Sequence, residues 1–217
     1  MNTQSHLLVA AALFTQPDRP KRNIAAIAGA FVPDAAIYGL WLWSKVNAIP
    51  ENTVWRELYW QQPWQTYTAL GNSLPLYLTI LVAGVVASRA PAPPRQIAAP
   101  GTSLTERWWA FVGRQPAGVI FALAAMTHLA GDFPVHVADA HAHLWPISNW
   151  RFHSPVSYWN PAHYGNWFQP LEVALGITLA TILFRRFRAR WVRGLMLLAI
   201  AAYVAVPAYF MLVVGHH

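Results

Sequence analysis

The sequence predicts an all-α integral membrane protein, a single domain over residues 1–217 with about six membrane segments, some of them short, broken or re-entrant. Apolar residues make up 56% of the 217-residue chain and charged residues 11%, less than half of the roughly 25% that is typical of soluble domains. Long apolar runs alternate with short basic clusters. Twelve Trp and eight Tyr fit the aromatic belts that line a membrane interface. Together these features favour a helical membrane bundle over a soluble core.

The apolar runs give the predicted segments in order. A full span needs about 20 residues, so the shorter runs are expected to form tilted, broken or re-entrant helices. Pro33 should interrupt the second run, because proline removes a backbone hydrogen bond inside a helix. The six runs cover residues 5–15, 24–46, 73–88, 116–130, 170–184 and 192–215.

The distribution of the net charge, +7, predicts the topology. Only Lys45, Arg56 and Arg151 fall on one side of the predicted membrane. Because an excess of Lys and Arg marks cytoplasmic loops, we expect the basic loops in the cytoplasm of a bacterial inner membrane and residues 47–72 and 131–169 outside. No nucleic-acid-binding motif accompanies the charge, which argues against nucleic acid as a partner. The other basic residues are Arg19, Lys21, Arg22, Arg89, Arg95, Arg107, Arg114, Arg185, Arg186, Arg188, Arg190 and Arg193.

Imidazoles and carboxylates are concentrated in residues 128–143. These groups are the usual ligands of zinc and of hydrolytic metal centres, and they are costly to place near a bilayer. The chain contains no cysteine, which excludes disulfides, thiolate metal sites and iron–sulfur clusters. The sequence therefore predicts a membrane-embedded metal site built from His and Asp. The stretch contains His128, Asp132, His136, Asp139, His141 and His143.

Four polar residues on three segments are expected to meet within the membrane. His128 and Asp132 are spaced i, i+4, so they share one face of a helix. At 1.5 Å per residue, His6, Asp34 and His128 each lie about 15–18 Å above the basic end of their segments. Two alternatives stay open: His6 can be an interfacial histidine, and Asp34 can cap a helix that restarts after Pro33.

The residues after the fourth segment are predicted to form an outer loop. If this piece is helical, His136, Asp139 and His143 share one face, where they can bind a second ion, position a substrate or remain solvated. The aromatic-rich stretch 145–159 fits an interfacial belt or a lid for a lipid-like substrate. An amide from Asn72, at the outer end of the third segment, could reach the site.

A set of short motifs resembles a known family. They are His-Leu-Leu at residues 6–8, Gly-Ala-Phe-Val-Pro-Asp at 29–34, His-x-x-x-Asp at 128–132 and Trp-Pro-Ile-Ser at 145–148. In these motifs the chain resembles the bacterial inner-membrane metal-dependent hydrolases, which are related to the zinc phospholipase C fold. The resemblance spans most of the chain, and it implies a metal site formed by His6, Asp34, His128 and Asp132.

The expected function is hydrolysis of a phosphoester or lipid-linked substrate by a divalent metal, with zinc as the expected ion. Such an ion lowers the pKa of bound water to about 7 and polarises the scissile bond. The candidate catalytic residues are Asp132, Asp139 and His136, and either aspartate can act as a general base rather than a ligand. The expected partner is a membrane lipid or lipid-linked molecule.

Two other functions remain open at this point. The first is a non-enzymatic transporter or a metal- or proton-handling protein, in which the same groups relay ions. The second is a haem protein with His6 and His128 as axial ligands. The chain contains no G-x-x-x-x-G-K-[ST], G-x-G-x-x-G or G-x-S-x-G motif, which argues against a nucleotide-binding enzyme and a serine hydrolase.

Overall fold

The computed structural model describes residues 1–88 and 103–209, and this part of the chain contains helices and irregular segments but no strand. The all-α prediction is therefore confirmed for the described residues. Three short 3-10 turns, Val32–Asp34, Leu58–Trp60 and Pro161–His163, lie between the α-helices. In chain order, the α-helices are α1 (Thr3–Phe14), α2 (Pro20–Phe31), α3 (Ala35–Val46), α4 (Glu51–Arg56), α5 (Trp64–Gly71), α6 (Leu74–Ala87), α7 (Leu104–Val112), α8 (Ala117–Asp132), α9 (Gly165–Arg186) and α10 (Arg190–Tyr209).

Within residues 1–88 and 103–209, three helices are long and apolar enough to cross a membrane: Pro20–Val46, which joins α2 and α3, Gly165–Arg186 and Arg190–Pro207. Helices α5 and α6 form a fourth candidate if this pair, bent by 40°, is one broken span. The apolar helices are consistent with a membrane protein.

The prediction of about six membrane segments is only partly met. The predicted runs 5–15 and 116–130 do become helices, but α1 and α8 contain only 12 and 16 residues. These lengths correspond to about 18 and 24 Å, which is less than the ~30 Å hydrocarbon layer. Positions 210–215 of the last predicted segment, together with Arg89 and Arg95, lie outside the described residues.

Pro33 perturbs the second segment without breaking it. The chain tightens into the 3-10 turn Val32–Asp34 and then continues directly into α3. Proline has no N–H to donate, so a local change of hydrogen-bonding pattern is expected where it enters a helix. The turn leaves Asp34 buried at the junction of α2 and α3.

Close packing of α2 against α8 forms the centre of the molecule. Small residues on both helices are fully buried, including Ala26 and Ala30 on α2 and Ala124 on α8. At Gly29 an added Cβ would collide with the carbonyl oxygen of Phe121, so the two backbones lie nearly in contact. Small residues permit this approach between apolar helices. Helix α1 packs on both helices and on α9, so the two helices too short to span lie at the centre.

The basic end of the bundle is tied together by side chains that reach helix-terminal carbonyl groups. Arg186 Nη1 donates to three carbonyl oxygens at the C-terminus of α1, at distances of 2.7–3.3 Å: those of Ala11, Ala12 and Thr15. Its guanidinium also lies 4.5 Å from the ring centroid of Trp109. The last carbonyl groups of a helix have no partner within the helix, so a cationic donor stabilises them.

Arg186→Ala should therefore lower the free energy of unfolding by about 1–3 kcal/mol, the usual range for hydrogen bonds to a charged group. Thermal unfolding in detergent measures the change. The matched control is Arg185→Ala, since Arg185 is the exposed neighbour in the same helical turn and its loss should leave the melting temperature nearly unchanged. Equal melting of both variants would show that the carbonyl contacts do not stabilise α1.

Candidate metal centre

His128 is held in one tautomer by the backbone of α2. Its Nδ1 lies 2.7 Å from the carbonyl oxygen of Ala30, and because a carbonyl only accepts, Nδ1 carries the ring proton. In the neutral ring, Nε2 is then the acceptor. His128 Nε2 lies 2.9 Å from Asp132 Oδ2, but it forms no hydrogen bond with any of the described residues. Two acceptors this close are stabilised by a positive charge between Nε2 and Oδ2, which a proton on Nε2 or a metal ion would supply.

Asp132, the last residue of α8, contacts several histidines through its carboxylate. Its Oδ1 lies 2.8 Å from His6 Nε2 and 2.6 Å from the α-amino group of Met1. The rings of His6 and His128 stack with centroids 3.6 Å apart and planes inclined by 10°. Both Nε2 atoms therefore face the same buried carboxylate.

The geometry of these three side chains fits a metal ion. One donor atom from each of His6, His128 and Asp132 lies within 4.8 Å of the other two. A tetrahedral site with bonds of about 2.0–2.2 Å separates its ligand atoms by roughly 3.3–3.6 Å. The two nitrogen–oxygen separations, 2.8 and 2.9 Å, approach that spacing within a small side-chain rotation. These buried His and Asp groups can therefore hold a metal ion.

Asp34 lies at the edge of this triad. Its Oδ1 is 3.6 Å from His128 Nε2, and its Oδ2 accepts a hydrogen bond from the Thr3 hydroxyl. The 3-10 turn thus brings the fourth residue of the predicted ligand set to the other three. Asp34 is within reach of an ion bound by His128, while Thr3 fixes the orientation of its carboxylate.

His136 follows α8 and lies between two carboxylates. Its Nε2 is 3.3 Å from Asp132 Oδ1 and its Nδ1 is 3.0 Å from Asp139 Oδ2. Neither contact has hydrogen-bonding geometry, so the attraction is between charges. Burial alone would lower the pKa of His136, but the two carboxylates outweigh it and raise the pKa to about 9. Burial alone would raise the pKa of Asp139. The contacts between Asp139 and His136 outweigh burial and lower the pKa of the Asp139 carboxyl to about 2.

His141 adjoins His136 on the other side. The two ring centroids are 4.9 Å apart, and His141 is buried. Burial, reinforced by the positive charge of His136, lowers the pKa of His141 to about 3. Its imidazole is therefore neutral at neutral pH, which is the form that binds a metal.

The segment carrying these residues is irregular rather than helical, so the predicted common face of His136, Asp139 and His143 does not form. Contacts from the rest of the outer loop fix it instead. Ser154 N donates to His136 O at 2.9 Å, and Arg151 Nη1 donates to Ala140 O at 2.9 Å. The loop therefore acts as a packed cap over the end of α8.

Asn72 supports the site from a distance rather than entering it. Its side-chain amide donates to the carbonyl oxygen of Pro33 at 3.1 Å, next to Asp34. Its own carbonyl oxygen lies 3.2 Å from Nδ1 of His143 in the outer loop. Asn72 thus braces the 3-10 turn and the outer loop together.

Sequence reasoning missed two polar residues near the site. Thr3 precedes His6 by one helical turn, a spacing that places both on one face of α1. Glu172 is buried in the apolar helix α9, where Oε1 accepts from the Asn2 backbone N–H at 2.7 Å. Its Oε2 has no hydrogen-bond partner among the described residues. The sequence could have indicated Glu172, because it is a lone acidic residue in an apolar segment, as Asp34 is.

Two cavities lie away from the cluster. One, of about 480 Å³, is at the basic end of the bundle and is lined in part by Arg19, Trp109 and Arg186. The other, of about 530 Å³, lies along the start of α9 and is lined by Asn166, Trp167, Pro170 and Leu171. Neither contains a residue of the His and Asp cluster. The Asp139 side chain, which is partly exposed, borders the cluster in the outer loop.

Comparison with known proteins identifies no relative. No family model, curated protein or solved structure matches the chain. The candidate metal centre therefore rests on the geometry of these residues alone.

Proposed function

We propose that the chain is a membrane-embedded metal-dependent hydrolase that acts on phosphoester or lipid-linked substrates. One observation carries the proposal: His6, His128 and Asp132 place three buried donor atoms within 4.8 Å of one another. Catalytic zinc sites use three protein ligands and leave a position for water, whereas structural sites use four. When bound, the ion supplies an activated water and polarises the substrate oxygen.

The donor set is one that binds zinc. Two of the three groups are imidazoles, while magnesium and calcium are bound mainly by oxygen ligands. Two histidines and one carboxylate bind catalytic zinc and also non-haem iron(II), so we propose zinc, and elemental analysis distinguishes the two ions. Iron–sulfur and blue-copper sites use cysteine, which this chain lacks. His128 also donates its Nδ1 proton to the Ala30 carbonyl, the outer hydrogen bond that orients most metal-binding histidines.

Asp139 is the proposed proton acceptor because one of its carboxylate oxygens has no hydrogen-bond partner among the described residues, although a pKa of about 2 makes it a weak base. The carboxylate oxygens of Asp132 already contact the Nε2 atoms of three histidines, at distances of 2.8, 2.9 and 3.3 Å. Asp139 holds His136 and the Trp159 indole N–H through Oδ2 and leaves Oδ1 without a hydrogen-bond partner among the described residues. It is also the more exposed carboxylate, at 21% against 2% for Asp132.

An amphipathic substrate is favoured by the surface around the cluster. The loop bearing Asp139 also exposes Ile147, Trp150 and Trp159, and Trp159 contacts Asp139 directly. Exposed aromatic side chains are typical of the membrane–water interface. A lipid headgroup lying at that depth would reach the cluster from the side of the loop.

We further propose that the protein lies in a bacterial inner membrane with its basic end in the cytoplasm. Support comes from the basic residues near one end of the bundle, including Arg22 near the start of α2, Arg114 before α8 and Arg186 at the end of α9. The positive-inside rule then directs the His and Asp cluster to the outer face.

Ion or proton transfer without hydrolysis is a second candidate, favoured by Glu172. Its carboxylate is buried in a membrane-length helix, and one of its oxygens has no hydrogen-bond partner in the part of the chain that the structure describes. Intramembrane carboxylates of this kind often serve in proton or ion pathways.

The test combines metal content with turnover. Protein purified in detergent without a polyhistidine tag is analysed by elemental mass spectrometry and assayed with bis-p-nitrophenyl phosphate and a fluorescent phospholipid. We expect bound zinc and hydrolysis that a chelator abolishes and added zinc restores. Zinc-containing protein that hydrolyses neither probe but carries zinc or proton flux in proteoliposomes would favour the second candidate. Protein that takes up no divalent ion would overturn the hydrolase, and transfer of protons or ions would become the leading candidate.

A further inference from the structure

We propose that Asp132, His136 and His141 form a second divalent metal site, adjacent to the first, with Asp132 as a ligand shared by both. This inference rests on the proposed function, because it assigns a second ion to the same hydrolytic centre. One donor atom from each of the three residues lies within 4.8 Å of the other two. All three side chains are buried, so they form a preorganised set rather than a solvated surface group.

His136 provides the strongest independent observation. Both of its ring nitrogens are buried and lack hydrogen-bond partners among the described residues. Leaving polar groups of this kind unsatisfied costs free energy, and native structures rarely do so without a bound water or ion. A divalent ion on the Nε2 side would displace the proton from this nitrogen, leave the Nδ1 proton beside Asp139, and also contact Asp132 Oδ1, 3.3 Å from Nε2.

Asp139 then acts as a positioning residue for this site. Its Oδ2 lies 3.0 Å from His136 Nδ1, on the side of the ring opposite to Asp132. A carboxylate that holds one ring nitrogen while the other binds the ion is a common arrangement in metal sites, and it raises the basicity of the ligand. The Trp159 indole N–H, 3.2 Å from the same Oδ2, fixes the carboxylate in turn.

The two oxygens of Asp132 contact residues of both triads. Oδ2 lies 2.9 Å from His128 Nε2, whereas Oδ1 lies between His6 Nε2, at 2.8 Å, and His136 Nε2, at 3.3 Å. With Oδ2 bound to the first ion beside His128, Oδ1 is the oxygen that can reach the second. Two-metal centres clamp both the attacking and the leaving oxygen of a displacement, which suits the phosphoester substrates of the proposed function.

Metal stoichiometry tests the inference. Wild-type protein, His141→Ala and His128→Ala are loaded with zinc in detergent, desalted and analysed for zinc per chain. We expect two ions in the wild type and one in each variant. The control is His153→Ala, since His153 is an exposed histidine of the same loop, and it should retain two. If His141→Ala does not fold, as judged by size-exclusion chromatography and circular dichroism, His136→Gln takes its place.

The outcomes separate the second site from the first. One ion in the wild type that persists in His141→Ala and disappears in His128→Ala would overturn the second site and leave the first intact. One ion that disappears in His141→Ala and persists in His128→Ala would support the second site and overturn the first. A wild type that binds no zinc would overturn both. Electron paramagnetic resonance of manganese-loaded protein adds a second readout, with spin coupling expected in the wild type and absent in His141→Ala.

Discussion

Asp132→Asn should leave the purified protein without bound zinc. The change keeps the shape of the side chain but removes the negative charge that three histidines surround at 2.8–3.3 Å. Loss of an outer partner of a metal ligand already weakens affinity by about 10–100-fold. Loss of a ligand belonging to both triads should therefore weaken affinity by more than about 100-fold. Zinc titration with a competing fluorescent chelator measures the change.

Asp18→Asn is the matched control for this substitution. Asp18 is an exposed carboxylate in the loop after α1, at the basic end, and its neutralisation should not alter zinc affinity. Size-exclusion chromatography and thermal unfolding would establish that Asp132→Asn remains folded. If folded Asp132→Asn bound zinc as tightly as the wild type, the ion would have to lie outside the cluster, and the proposed centre would be wrong.

Gly29→Ala should both destabilise the protein and weaken its metal site. The added methyl group would collide with the Phe121 carbonyl oxygen and lie 3.1 Å from Ala124 Cβ, which forces α2 away from α8. Overpacking of this kind costs about 1–3 kcal/mol and sometimes more. The displacement would also lengthen the 2.7 Å contact between the neighbouring Ala30 carbonyl and His128. We therefore expect a lower melting temperature together with zinc affinity reduced by about 10-fold.

Gly39→Ala provides the comparison, because an added Cβ at Gly39 has no atom within 4 Å. At an open helical position alanine is favoured over glycine by up to about 1 kcal/mol, so this variant should be as stable as the wild type or slightly more stable. Both variants are measured by thermal unfolding in detergent and by zinc titration. Unchanged melting and affinity in Gly29→Ala would mean that the tight α2–α8 contact does not position His128.

Much of the site could be anticipated from polarity alone. A lone His or Asp in an apolar run is visible in the sequence because hydrocarbon penalises it, and this reasoning selected His6, Asp34, His128 and Asp132. The structure brings these four side chains together. The same rule, applied evenly, would also have selected Glu172. Polarity could not have selected the Ala30 carbonyl group, because every residue has a backbone carbonyl. Only the packing of α2 against α8 shows which one contacts His128.

The outer loop shows where periodicity fails. His136, Asp139 and His143 would share a face only on a helix, and the segment is irregular. His141 contributes a donor atom to the second triad, although its spacing from His136 matches no helical face. Its position follows from contacts with residues distant in the sequence, such as that between Arg151 and Ala140. Local spacing carries no information about such contacts.

The sequence by itself determined the helical class, the apolar character of the helices and the residue types available to bind a metal, because these depend on composition and on interactions between near neighbours. Tertiary structure alone decided that the two short helices α1 and α8 lie at the centre of the bundle. It also decided that His128 is fixed by a carbonyl from α2 and that His141 joins His136 at Asp132. Those features depend on the close packing of surfaces far apart in the chain, and no local pattern encodes that packing.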